Sequence, residues 1–147
     1  MRRVLVLIAA ASVGAAALAG TAAADATYRT ERLELAGLAG APGGGMVVNI
    51  HTNGPQVYAH EIYTLRHAVP GTYQVTLNVF MSLDCTGTPL LAIPTAMLET
   101  NAHGNGLADV KFTPEDVAPF RGMTFSLNWT VTGPATYVTG CTIVILD

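Results

Sequence analysis

The sequence predicts an all-β protein, a single sandwich of seven or eight mostly antiparallel strands closed by one disulfide. Three observations predict it. Short segments along the chain alternate apolar and polar side chains, the period-two signature of a strand with one face in a core. Turn-forming Gly, Pro and Asn recur at intervals of roughly eight to twelve residues, the spacing of a sandwich. Two cysteines, Cys85 and Cys141, stand in a chain that begins like an exported one. A small closed barrel is the alternative arrangement of the same strands.

The export reading comes from the first 26 residues. Met1-Arg2-Arg3 is a basic start, Val4 to Gly20 is an Ala-rich apolar stretch, and small residues follow. Ala22-Ala23-Ala24 and Ala24-Asp25-Ala26 both offer small side chains at the two positions signal peptidase reads, so cleavage is expected before Asp25 or before Thr27. The apolar stretch is short and weakly hydrophobic for a membrane anchor. Leu18-Ala19-Gly20 opens like a lipobox, but Thr21 follows where a cysteine is needed for lipidation. Residues 1–26 are therefore expected to be a cleaved signal peptide and 27–147 the β-sandwich domain. The end of the chain, Cys141 to Asp147, reads as a strand with no apolar or basic tail.

A domain of this length can bury a core without several disulfides or a metal. From Asp25 onward the basic residues are Arg29, Arg32, Arg66, Lys111 and Arg121, set against ten carboxylates, an excess of five negative charges. No basic patch forms in the sequence, which argues against nucleic acid and anionic lipid as partners. In an oxidising compartment the two cysteines are expected to pair. The closed loop of roughly 57 residues is worth on the order of 4 kcal/mol in the chain-entropy view.

Taken in order, Tyr28 to Leu38 is the first strand, with Leu33 and Leu35 on its apolar parity. Ala39 to Gly45 is a turn, and Met46 to Thr52 a short β-branched strand. Asn53-Gly54-Pro55 is a turn signal that returns the chain antiparallel. Gln56 to Arg66 is a strand of untidy parity, which reads as an edge or partly exposed one. From Val69 to Cys85 the alternation is clear: Tyr73, Val75, Leu77, Val79 and Met81 share one face, and Gln74, Thr76, Asn78 and Ser82 the other. This is expected to be a central strand that delivers Cys85 to the far end of the sheet.

The turn Pro70-Gly71-Thr72-Tyr73, followed by that strand, resembles a segment of fibronectin-type and other immunoglobulin-like sandwiches. The resemblance implies a tyrosine-corner role for Tyr73, whose hydroxyl would bond nearby backbone. The overall pattern is similar to small immunoglobulin-like β-sandwich proteins exported by GC-rich Gram-positive bacteria.

Past Cys85, Thr86 to Pro89 is a turn, Leu90 to Ile93 a short edge segment ended by Pro94, and Ala96 to Thr100 a strand. Asn101 to Gly106 is a hairpin loop, and Leu107 to Phe112 returns with Ala108, Val110 and Phe112 inward. Thr113-Pro114-Glu115-Asp116 has helix-start chemistry: a capping Thr, Pro at the first position and acids that oppose the dipole. Pro119 limits it to one turn. In Met123 to Thr132, Met123, Phe125, Leu127, Trp129 and Val131 face the core. Tyr137 to Leu146 is the last strand and, being apolar on both faces, is expected to lie centrally.

The chemistry sought along the chain is mostly absent. The expected mature domain has two serines, Ser82 and Ser126, and no nucleophile-elbow motif. His51, His60, His67 and His103 lack chelating spacing, so no metal and no cofactor is expected. His60 and Glu61 point to opposite faces of a strand. Glu115 and Asp116 are accounted for by the helix start, and Asn128-Trp129-Thr130 is a coincidental glycosylation triplet inside a strand. One segment stands out: Tyr58, His60, Glu61, Tyr63 and Arg66 gather aromatic and polar groups suited to an interface. They form the candidate binding residues, read as an exposed patch.

The function expected is that of a secreted, non-enzymatic binding or interaction module, extracellular or cell-wall associated. Its partner would be an extracellular protein, a glycan or a small molecule. Two alternatives stand beside it: a carrier of a small apolar ligand, which requires a cleft of several hundred Å3, and an inhibitor of an extracellular enzyme, using the Asn101–Gly106 or Asp84–Pro89 loop.

Overall fold

The computed structural model describes residues 28–52 and 56–146; the expected signal segment and the turn expected at Asn53-Gly54-Pro55 lie outside the described residues. Among the described residues are nine strands: β1 (Tyr28–Gly37), β2 (Gly44–Thr52), β3 (Ala59–Arg66), β4 (Thr72–Phe80), β5 (Leu91–Glu99), β6 (Gly106–Phe112), β7 (Thr124–Thr132), β8 (Thr136–Thr139) and β9 (Thr142–Ile145). A one-turn helix, α1 (Pro114–Val117), and a 3-10 turn (Ala118–Phe120) link β6 to β7. The fold is all-β, every strand pairing is antiparallel, and Cys85 and Cys141 are bonded with Cα atoms 5.7 Å apart.

The strands form one sheet in the order β5-β4-β7-β8-β1-β2-β3-β6, with β9 added to β7. The two ends of that path, β5 and β6, are consecutive in the chain and meet through the Thr100–Gly106 bridge, so the sheet curls almost into a barrel. Their loop is tightly held. Asn101 Oδ1 accepts from the backbone N–H groups of His103 (2.9 Å) and Asn105 (3.1 Å). Gly104 has φ +71° and lies so close to Ala68 that a Cβ would fall 2.0 Å from its carbonyl oxygen, so a side chain is excluded there.

Alternation assigns the inner face. Tyr73, Val75, Leu77 and Val79 of β4 are buried, as are Phe125, Leu127, Trp129 and Val131 of β7. β4 is central, paired to β5 on one side and β7 on the other. Its outward Asn78 donates to Asn128 Oδ1 and Thr130 Oγ1, both at 3.0 Å, on β7. The Tyr73 hydroxyl donates to the Val69 carbonyl at 2.5 Å, the corner contact the resemblance implies. At α1, the Thr113 N–H donates to Asp116 Oδ2 at 2.7 Å, so the sequence's helix-start chemistry is realised.

Several expectations are corrected. Met81 and Met123 lie beyond the ends of β4 and β7 and are exposed, because each strand leaves the barrel one residue short of them. Leu90 to Ile93 and Ala96 to Thr100 are not separate; one strand, β5, runs through Pro94. A bulge at Thr95 absorbs the shift in register, and β5 ends the hydrogen-bonded path, where a missing N–H is tolerated. The last strand breaks at Gly140-Cys141. β8 lies centrally between β7 and β1, whereas β9 pairs with β7 alone and exposes Ile143 and Ile145. Strand β3 is not an edge, since it pairs with both β2 and β6.

Replacing both cysteines by serine (C85S/C141S) should lower the unfolding free energy by about 4 kcal/mol in a urea melt, because the denatured chain regains the freedom of a long loop. An unchanged midpoint would show that the bridge does not hold the fold.

Candidate functional site

The barrel interior has two unlike halves. One is filled: Tyr63, Leu65, Tyr73, Val75, Leu98, Trp129, Val131 and Tyr137 are all essentially without solvent exposure and pack into one core. The Tyr73 and Tyr137 rings meet with centroids 5.9 Å apart. The other half encloses a cavity of about 450 Å3, within the range of small-molecule sites. Its walls are apolar. Leu77 and Val79 come from β4, Leu91 and Ile93 from β5, Val110 and Phe112 from β6, and Phe125 and Leu127 from β7. The β6–β7 crossover contributes Val117 and Phe120, with the exposed Lys111 and Asp116 at the rim.

Away from that rim, the polar lining comes from Asn49 and His51 of β2, Glu61 of β3 and Tyr58 just before it. Register places Glu31 of β1 opposite Asn49 of β2, and Asn49 opposite Glu61 of β3, so the three stand in a row across neighbouring strands. Two residues further along β2, His51 has the same inward parity. Asn49 Nδ2 donates to Glu31 Oε2 at 3.1 Å, and His51 Nε2 lies 2.9 Å from Glu31 Oε1. Asn49 and His51 are buried, at 3% and 4% exposure.

Glu61, 2% exposed, is held from across the barrel. The Trp129 indole Nε1 donates to its Oε2 at 2.8 Å, and the Tyr63 hydroxyl donates to the same oxygen. Burial pushes the Glu61 carboxyl above its ordinary range, and the two ring donors offset only part of that. Burial and the neighbouring Glu61 also raise the Tyr63 hydroxyl far out of its usual range, so it remains a donor. Thr95 Oγ1 lies 2.9 Å from that hydroxyl, which gives the β5 bulge a place in the same network.

One polar atom is left over. Asn49 Oδ1 is the buried side-chain oxygen or nitrogen that finds no hydrogen-bond partner among the described residues. Its orientation follows from chemistry: a carboxylate at Glu31 can face only the amide nitrogen, so the oxygen is the end left unmatched.

The five candidate binding residues do not form an exposed patch. Tyr58 and Tyr63 are buried, at 2% and 0% exposure: Tyr63 shares the inward parity of β3 with Ala59, Glu61 and Leu65, and Tyr58 lies just before the strand. Tyr58 and Glu61 line the cavity, and Tyr63 supports Glu61 from behind it. His60 points outward, 2.8 Å from Asp109 Oδ2 of β6, and Arg66 is exposed at the end of the strand. Tyr58 is also capped by the Arg121 guanidinium, 5.9 Å from its ring centroid. Among the described residues no group of three or more His, Cys, Asp or Glu is arranged to hold a metal.

Sequence reading missed Glu31, Asn49 and His51. The signal was present in β2, where Val47, Asn49 and His51 share a parity against Met46, Val48 and Ile50. Hydrophobicity favours the second set as the inner face; the register of the sheet turns the first set inward.

The raised Glu61 acid has a consequence for stability. A carboxyl whose folded pKa lies above its unfolded value of about 4.5 contributes fully below that pH and loses its contribution as pH rises through the folded value. Each unit of elevation costs about 1.4 kcal/mol at high pH. E61Q keeps an oxygen for Trp129 and Tyr63 but cannot ionise. Its stability should therefore gain on the native protein as pH climbs from 4.5 to 9 in paired urea melts; parallel profiles would mean that Glu61 is not held in this way.

Compared with family models, with curated proteins and with solved structures, the chain matches none, so the reading of the cavity rests on its own geometry.

Proposed function

We propose that the protein is an exported, extracellular carrier that holds a small, largely apolar molecule inside its barrel. The observation that supports this best is the cavity of about 450 Å3, walled mainly by aliphatic and aromatic side chains. A surface interaction module has less support, because the aromatic side chains it would use are turned inward. The disulfide and the absence, among the described residues, of a helix able to cross a membrane are compatible with a secreted protein.

The cavity fits a carrier in physical terms. Apolar walls reward a ligand by area removed from water, about 25 cal/mol per Å2. A barrel wall of paired strands keeps the space open without the ligand. A second reading is favoured by one observation, that Glu61 and His51 line the same cavity: acid–base chemistry on the bound molecule. Mass spectrometry of ligand extracted from the native protein and from E61Q separates the two, since a carrier returns the same molecule from both.

The chain contains one tryptophan, Trp129, bonded to Glu61 at the end of the cavity. Titration with N-phenyl-1-naphthylamine should produce energy transfer from Trp129 to the probe and saturate at one site. Val110→Phe, which fills the cavity from β6, should weaken binding at least tenfold while leaving the melt intact. Saturation that V110F does not affect would place the probe elsewhere and remove the carrier reading.

A further inference from the structure

We infer that the molecule this barrel takes is a lipophilic amine bound in its protonated form, with the ammonium on Glu61 Oε1 and the apolar remainder among the aromatic walls. This rests on the carrier reading and names the class of its ligand.

The two oxygens of Glu61 have different surroundings. Trp129 and Tyr63 both donate to Oε2, and neither of them lines the cavity. Glu61 does line it, and Oε1 takes no hydrogen bond from the described residues. Unlike Asn49 Oδ1, Oε1 is not sealed off: it keeps accessible surface of its own. The small exposed remnant of Glu61 thus includes an oxygen without a partner, on a side chain that faces the cavity.

No cation of the protein reaches that oxygen. Among the described residues the ion pairs are His51 with Glu31 and His60 with Asp109. His51 lines the cavity, but its neighbour Glu31 at 2.9 Å balances any charge it takes up. Lys111 is exposed at the rim beside Asp116, and Arg121 lies outside the lining, over the Tyr58 ring. A buried carboxylate without a counter-charge is costly. An ammonium supplies both the charge and the N–H, and such charge-assisted hydrogen bonds are roughly twice as strong as neutral ones. An alcohol would bond Oε1 and leave the charge unmatched, and a carboxylate head would set two anions together. A Glu61 carboxyl that holds a proton in the empty barrel releases it to solvent as the ammonium enters, so the bound pair is carboxylate with ammonium in either case.

The walls favour the same head. Tyr58, Phe112, Phe120 and Phe125 all line the cavity, and Phe120 meets Phe125 edge to face with centroids 5.9 Å apart. Val110 stands opposite Glu61, and Phe112 is the next inward position along β6, so a ring lies one step from the acid. Aromatic faces attract ammonium groups, most strongly where water is excluded. An open acid oxygen, ring faces and the absence of a cation inside select an amine over other polar heads.

A matched series displacing the uncharged probe N-phenyl-1-naphthylamine from the native protein tests this: decylamine, 1-decanol and decanoate at pH 7.5, each below its aggregation limit. Salt at about 0.15 M screens attraction to surface charge. Decylamine is expected to displace the probe at a concentration at least tenfold lower than either of the others. In Glu61→Gln, with Glu61→Met as a second form, its lead over decanol should fall to within about twofold while the probe still binds. Equal displacement by all three, a lead for decanol or decanoate, or a decylamine lead that survives in a folded Glu61 variant overturns the inference and leaves the carrier reading standing. The native ranking decides on its own if neither variant folds. Failure of the probe to bind the native protein overturns the carrier reading and the inference with it.

Discussion

The barrel is organised around a carboxyl group. Glu61 projects from β3 and meets Trp129 from β7, a strand four places away in the sheet order, so the bond crosses the interior. Placing an acid there costs several kcal/mol unless its oxygens are bonded. Trp129 and Tyr63 supply the bonds, and they have the same need in reverse: each would otherwise bury a donor without a partner. The three groups thus stabilise one another. They also partition the space. On one side the tyrosines and branched aliphatics fill the barrel completely; on the other the walls stand apart.

A cavity inside a barrel loses packing energy in proportion to its volume, so something must prevent collapse. The arrangement at that end supplies it. The disulfide fastens the loop after β4 to the corner where β8 gives way to β9. Gly122 N–H donates to the Leu146 carbonyl at 2.6 Å, and Leu146 N–H to the Met123 carbonyl at 3.0 Å, tying the crossover to the end of the chain. The outward Asn78–Asn128–Thr130 cluster fixes β4 against β7 behind the cavity wall. These contacts hold positions around the cavity without filling it.

Much of the wall was legible in the sequence. The alternation in β4 and β7, the Tyr73 corner, the start of α1 and the Cys85–Cys141 pair depend on local pattern or on chemistry with few alternatives. What was not legible depends on which strand lies beside which. The untidy parity of β3 suggested an edge because Glu61 broke its apolar face, yet β3 is flanked on both sides and Glu61 is inside. In β2 the more apolar parity carries Val48 and Ile50, yet register turns Asn49 and His51 inward. The split of the last strand was hidden because both of its halves read as strand. A cavity leaves no residue pattern of its own, since it is side-chain volume that is missing.

The departures from pattern fall together in space, which gives them meaning. Asn49, His51 and Glu61 are polar side chains that line the cavity, and Glu31 bonds Asn49 and His51 from the neighbouring strand. Neighbouring inward positions are Val47, Leu35, Val75 and Val131, all apolar and buried. A barrel shaped by packing alone would carry such residues throughout, because a buried acid, an unmatched amide oxygen and an open volume each lower stability. Where local rules are broken jointly at one place and kept elsewhere, the break marks a site. The polar row and the cavity are therefore one feature of the fold. The fold supports it through Tyr63 and Trp129, which bond Glu61 from within the barrel.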